Sequence, residues 1–228
     1  NFLLRQRQHH FLKDDLTVAG ALVMNKISNQ LALLEKTRLK NVAIEKVKMQ
    51  CSKAIEQIPN ITEYEKLMGL EGWVAKSFFC EYFKDLEWTA RCPRTKIDPV
   101  NTTLDIGYTI LFNYIEAFAR LFGFDPYVGV YHRLWFKRKS LICDLMEPFR
   151  CIIDRQVRKS FNTGQCKADD FKVFKNEYVL KYEKNGDYMR LFYDALIPYK
   201  MEIFMYMRDY YRCFMQQKGL HSYPQFTL

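Results

Sequence analysis

Four side chains in this 228-residue chain could do chemistry together: Glu71, His132, Asp144 and Glu147. Glu71 lies at helical spacing from Leu67, Val74 and Phe78, which sets a carboxylate on the apolar face of a core-seeking helix. Burying it unpaired would be costly, and an arginine, a helix N-terminus or a metal ion would each satisfy it. Gly69 and Gly72 flank it at about 1 kcal/mol each relative to alanine, which predicts that some group closely approaches that backbone. His132 stands in Gly129-Val130-Tyr131-His132-Arg133, just beyond an Asp125-Pro126 turn. An imidazole is as often a hydrogen-bonding group as a metal ligand, so alone it decides nothing. Asp144 and Glu147 are three residues apart and share one face of a helix. The same spacing fits a capping box, Asp144 at the N-cap and Glu147 at N3, which needs no metal at all.

As a set, carboxylate and imidazole donors suit Mg2+ or Mn2+ beside a region rich in phosphate-binding side chains. Such a region is present. Arg133, Lys137, Arg138, Lys139, Arg150, Arg155, Arg158 and Lys159 face only Asp144, Glu147 and Asp154 in the same stretch, a local excess of five positive charges. Trp135 and Phe136 are interleaved with them, a pattern that suits a nucleic-acid backbone better than a merely solvated charge run. The whole chain carries a formal net charge of +9, which favours polyanionic partners. Seven cysteines, at 51, 80, 92, 143, 151, 166 and 213, form no Cys-x-x-Cys pair. That disfavours structural zinc and a disulfide framework and fits a reducing cytoplasm. The most apolar long stretch, Tyr108 to Phe124, is interrupted by Asn113, Glu116 and Arg120, which excludes a membrane span of the usual kind. No signal peptide is visible, and the chain opens mid-pattern at Asn1, so a natural N-terminus is expected upstream.

The elements that position these residues read as helices. Leu16, Ala19, Val23, Ile27, Leu31 and Leu34 recur at helical spacing after Asp14-Asp15, acidic groups that suit a helix N-terminus, and predict an amphipathic helix. A second stripe, Val47, Cys51, Ala54 and Ile58, ends at Pro59, and a third opens near Thr62 and carries Glu71. After a loop over Cys92 to Pro99, Asp98 as N-cap and Pro99 at the first position launch a helix through Leu104, Tyr108, Leu111, Ile115 and Phe118, closed by Gly123. A loop to Lys139 precedes a further helix from Ser140 through Arg158, with Pro148 as a bend. Phe171 to Tyr182 follows a polar stretch, Asn185-Gly186 reads as a tight turn, and an aromatic-rich helix broken by Pro198 completes the chain. The fold class expected is all-α over 1–228, with at most a short hairpin near 171–190.

Several of these segments resemble the CRISPR-associated integrase family that inserts new spacers into CRISPR arrays, the universal adaptation endonuclease/integrase. Gly69-Leu70-Glu71-Gly72 resembles its first ligand motif, and Asp98-Pro99-Val100-Asn101 with Gly107-Tyr108 the start of its central helix. Gly123-Phe124-Asp125-Pro126 with Gly129 and His132 resembles the histidine motif, and Ser140-Leu141, Asp144-Leu145-Met146-Glu147 and Phe149-Arg150 the last. Lys26-Ile27-Ser28-Asn29-Gln30, Asn1 to Arg5, Asp170-Phe171 and Tyr223-Pro224-Gln225-Phe226 extend the likeness over nearly the whole chain.

The resemblance implies the helical catalytic domain of such an enzyme, without the N-terminal β-domain through which family members pair. It implies Glu71, His132 and Glu147 as ligands of Mg2+ or Mn2+, with Asp144 the rival third ligand and Arg150 a basic group beside them. Arg133, Lys137, Arg138, Lys139, Arg155 and Arg158 are then the expected DNA contacts. The implied reaction is metal-dependent transesterification joining 3′-hydroxyl ends of spacer-precursor double-stranded DNA to a CRISPR repeat. The implied setting is the prokaryotic cytoplasm, in a homo-oligomer, with a small second CRISPR adaptation protein as a further partner. Two rivals stand beside it: a mobile-element integrase of the same superfamily, and a non-catalytic helical nucleic-acid-binding subunit whose acidic cluster is a capping network.

Overall fold

The segment Thr17–Glu35 (α2) is hydrophobic on nearly every side, and such a helix belongs in the interior. Val18, Ala19, Leu22, Val23, Ile27, Leu33 and Leu34 are all buried, whereas Leu16 and Leu31 of the expected stripe are only half-buried. The helix is therefore central rather than amphipathic, and it packs against the helices Val42–Gln57, Tyr64–Tyr82 and Arg150–Asn162. The computed structural model describes residues 2–10, 16–38, 41–86 and 88–228, so the Asp14-Asp15 helix start lies outside the described residues, as does Asn1.

Nine α-helices are found among the described residues: α1 (Phe2–His10), α2, α3 (Val42–Gln57), α4 (Tyr64–Tyr82), α5 (Pro99–Leu121), α6 (Ser140–Leu145), α7 (Arg150–Asn162), α8 (Asn185–Leu196) and α9 (Lys200–Gln216). The sequence stripes fall where expected: Val47, Cys51, Ala54 and Ile58 of the α3 region are buried, as are Leu67, Val74 and Phe78 of α4. Asp98 caps α5 by accepting from the Asn101 amide at 2.7 Å, with Pro99 at the first position. Its C-terminus closes with Gly123 at φ +85°, the Gly123 amide donating to Arg120 and the Phe124 amide to Ala119, a Schellman pair. Gly107 is where α5 meets α7 and α8: a Cβ there would lie 2.5 Å from Ile153 and 2.6 Å from the Phe192 ring, so only glycine permits this approach.

Three expectations are corrected. The helix from Ser140 to Arg158 is two helices, because Pro148 sits in a 3-10 turn over Glu147–Phe149 that redirects the chain between α6 and α7. The tight turn is not Asn185-Gly186, which form the first turn of α8; both residue types suit helix starts as well as turns. The hairpin turn is instead Lys175-Asn176, both in the left-handed region (φ 51° and 63°), joining β1 (Phe171–Phe174) to β2 (Glu177–Leu180) antiparallel with Phe171 opposite Leu180. Finally, Gly69 and Gly72 lie on the exposed face of α4 and no atom stands within 4 Å of a Cβ at either, so the close approach expected there is absent among the described residues.

Buried amides on α2 fix the C-terminal segment. Asn25 Nδ2 donates to the Phe226 carbonyl at 2.8 Å while its Oδ1 accepts from the Phe226 amide at 2.9 Å. Asn29 donates to Phe226 and to the Pro148 carbonyl and accepts from the Leu228 amide, which ties the Pro148 turn to the central helix. No helix among the described residues is long and apolar enough to cross a membrane.

Candidate functional site

A cleft of about 610 Å³ opens where α2, α4, α5 and α7 converge, and Lys26, Glu71, His132, Glu147 and Arg150 all line it. Glu71 arrives from α4, Glu147 from the Pro148 turn, Arg150 from the first residue of α7, and His132 from the loop between α5 and α6. Residues 71, 132 and 147, remote in sequence, are thus brought to one wall. Each is placed differently: Glu71 by its position in the α4 stripe, Glu147 by the Pro148 turn, and His132 by a loop that side chains from other elements pin.

Two distant side chains pin the histidine loop. From one side Gln8 of α1 donates to the carbonyls of Asp125 (3.1 Å) and Val128 (3.2 Å) and accepts from the Asp125 amide (2.8 Å). From the other, the Asp144 carboxylate, fully buried, accepts from the amides of Val130 (2.7 Å), Tyr131 (3.0 Å) and His132 (2.9 Å). It also meets His132 Nδ1 at 2.6 Å. Gly129 makes room for this, since a Cβ there would stand 2.6 Å from Asp144 Oδ2. Asp144 lies inside α6 rather than at its N-cap, and Glu147 is beyond the end of α6, so the capping-box alternative is contradicted. The Asp144 carboxylate is occupied with orienting the histidine, and Glu147 is the carboxylate that lines the cleft.

Lys26 of α2 stands between the acids, its Nζ paired with Glu71 Oε1 and 2.6 Å from Glu147 Oε2. Arg150 Nε lies 3.0 Å from Glu147 Oε1, with its guanidinium 4.5 Å over the Tyr108 ring. Burial alone would raise the Glu147 carboxyl, but Arg150 and then Lys26 outweigh it and hold it down at about 2. Burial would likewise lower the Lys26 ammonium, yet Glu147 and Glu71 together hold it above its ordinary value. Two carboxylates converging on one cation match the donor chemistry of Mg2+ or Mn2+. Among the described residues no three His, Cys, Asp or Glu side chains stand close enough together to hold an ion as placed.

Deeper in the cleft Tyr108 donates to the buried Asp154 carboxylate. Burial pushes Asp154 up to about 6, against the Tyr108 hydrogen bond and the charges of Arg150 and Lys26. A carboxyl raised above its ordinary 3.8 binds a proton more tightly folded than unfolded. Its contribution to stability is therefore whole below about 3.8 and is lost as pH rises through about 6. Asp154→Asn, which keeps an acceptor for Tyr108 and removes the charge, is expected to stabilise the protein at pH 8 by an amount on the order of 2–3 kcal/mol, read as a higher melting temperature, and by much less at pH 4. Equal effects at both pH values would refute this. Glu147 works in the opposite sense, its contribution present above about 4.5 and lost as pH falls towards 2.

The basic residues divide. Arg133 and Lys137 are exposed on the histidine loop beside Trp135 and Phe136, themselves 75% and 82% exposed, with Arg133 in a surface pair with Glu65 at 2.8 Å, while Arg138 is half-buried. Lys139 is spent on Glu116 at 2.7 Å. Arg155 donates to the Tyr199 hydroxyl, and Arg158 pairs with Asp85, donates to Thr37 and stacks over Tyr82. Neither Arg155 nor Arg158 lines the cleft, and both are engaged with partners on other elements. Lys26, Gln8, Tyr108 and Asp154 were not singled out for the site from the sequence. The available signal was polar residues (Asn25, Lys26, Asn29, Gln30) inside an otherwise apolar helix, which demand buried partners.

The family model described as "CRISPR associated protein Cas1" matches residues 1–194. The chain is 34% identical over 185 residues to a CRISPR-associated endonuclease Cas1 of Thermodesulfovibrio yellowstonii, covering 75% of this chain and 57% of that protein. It is 33% identical over 173 residues to the Leptospira interrogans endonuclease, covering 68% and 66%. The chain thus spans under two thirds of these relatives' length. Its fold is shared with part of a chain in a Cas6-RT-Cas1–Cas2 complex (TM-score 0.87, 21% identity, 100% of this chain and 27% of that one). It is shared also with a casposase bound to integration product (TM-score 0.83, 20% identity, 99% and 69%).

Proposed function

The chain belongs to the CRISPR-associated protein Cas1 family, and from that premise we propose that it is the metal-dependent catalytic part of a DNA integrase acting in CRISPR adaptation. The observation that supports this reading most is the convergence of Glu71 and Glu147 on one cation position, with His132 held in the same cleft by a fully buried Asp144. Glu71, Glu147 and His132 would hold Mg2+ or Mn2+, which when bound polarises a phosphodiester and stabilises the charge that develops on it. The protein's own groups do the rest. Asp144 fixes the imidazole orientation through Nδ1 and so directs Nε2 away from itself. Glu147 is ionised at any working pH, so it needs no deprotonation before use. Arg150, stacked on Tyr108, presents a fixed positive charge to a phosphate in the cleft, and Arg133 and Lys137 extend that field along the loop.

On this reading the substrates are two double-stranded DNAs, a spacer precursor with free 3′-hydroxyls and a repeat that accepts them. Two coordinated insertions call for at least two copies of the site, hence a homo-oligomer. A small second adaptation protein as partner is supported by the Cas1–Cas2 assemblies among the structural neighbours. The test is joining of a labelled duplex to a repeat-bearing supercoiled plasmid. Joined product is expected with Mn2+ or Mg2+, and none with EDTA or a 3′-deoxy end. Product formed equally in EDTA would sink the metal-dependent reading, and none under any condition the integrase reading itself. A plasmid lacking the repeat separates the two integrase readings: indifference to the repeat favours the mobile-element alternative, with which the casposase fold agrees equally well.

A further inference from the structure

Lysines are rarely enclosed, and Lys26 is largely enclosed and placed between two acids, where an ion would sit. Its side chain is 12% exposed, with Glu71 and Glu147 on either side of one ammonium. The helix that carries it is fixed by Asn25 and Asn29, which clamp Phe226, Leu228 and the Pro148 carbonyl, so its backbone cannot drift. The side chain is different: a four-carbon stem ends in a compact charge with rotatable donors, beside a cleft of about 610 Å³. A salt bridge meant only for stability would more economically use Arg150, already against Glu147. Two carboxylates that converge on one point repel unless a cation lies between them or one takes up a proton, and here an ammonium fills that place before any metal arrives.

We propose that Lys26 is the built-in counter-cation of this site: it holds Glu71 and Glu147 together in the metal-free protein and yields its place to the divalent ion on loading. This rests on the metal-dependent reading above. Loading is then an exchange of one cation for another, and metal affinity is set as much by the displaced ammonium as by the ligands. The lysine acts on the reaction through the ligands, as a positioning residue.

The experiment uses the whole chain with Mn2+ alone as probe, read by calorimetric titration and by thermal melts in EDTA and in saturating Mn2+. Lys26→Met is expected to melt about 5 °C or more below the natural chain in EDTA, because two acids lose their shared cation. It is also expected to bind Mn2+ roughly tenfold tighter and to gain more from it in melting temperature. Equal or weaker Mn2+ affinity in Lys26→Met, with equal Mn2+-induced shifts, would show that the lysine is structural only and overturn the proposal while leaving the site reading intact. If the natural chain binds no Mn2+, both fall together. Should Lys26→Met not fold in EDTA, Lys26→Met combined with Glu71→Gln decides. Recovery of folding without a Mn2+ shift supports the counter-cation role, and continued failure to fold overturns it.

Discussion

Asp144→Ala is expected to destabilise the protein by about 4 kcal/mol and to abolish DNA joining even in the fraction that remains folded. The carboxylate is fully buried and is the common acceptor for three consecutive backbone amides, those of Val130, Tyr131 and His132, and for His132 Nδ1. Alanine leaves those donors facing one another without water or an acceptor. Each buried unpaired donor costs about 1–3 kcal/mol, and partial relaxation of the loop lowers the sum. Asn should be only partly tolerated, since its NH2 turns one acceptor position into a donor aimed at donors. Urea denaturation measures the loss. A change below about 1 kcal/mol would mean that the loop is held by Gln8 alone.

The second large effect separates activity from folding. His132→Ala is expected to reduce joining by ~10²-fold or more, the scale on which removal of one group that stabilises developing charge is usually felt. Its melting temperature in EDTA should change little, because the imidazole lies at the cleft surface and Asp144 keeps its three backbone donors. Binding of labelled duplex should survive, since Arg133 and Lys137 are untouched. Parallel joining, binding and melting measurements decide it, and retained joining would remove His132 from the reaction. Glu147→Ala is expected to silence joining too, but it cannot make this separation. It leaves Arg150 without its carboxylate and Lys26 with Glu71 alone, so the fold is weakened along with the reaction.

Those features of the fold that depend on neighbours a few residues away were legible in the sequence. Asp98-Pro99 and Gly123 bracket α5 as read, because caps are local chemistry, and the α3 and α4 stripes bury as read. What failed needed knowledge of distant partners. Asp144 and Glu147 look equivalent at spacing three, yet Pro148 breaks the helix between their roles, sending one carboxylate to the histidine loop and the other into the cleft. Nothing near Arg158 in the sequence signals that it pairs with Asp85, 73 residues earlier. Lys26 is the sharpest case: it stands within a motif quoted for its resemblance, but nothing within α2 announces that its partners lie 45 and 121 residues further on.

Those separations also set an order of events. Lys26 meets Glu147 across 121 positions, and Gln8 meets Val128 across 120, so no stretch of the chain contains a usable part of the cleft. Closing such long loops is slow and is rewarded only when both ends arrive. α3 and α4 can pack early, through neighbours close in sequence, but the acidic pair and the imidazole become a unit only at final closure. A partly folded chain therefore holds no complete set of cleft groups: Glu71, His132 and Glu147 come together at once or not at all.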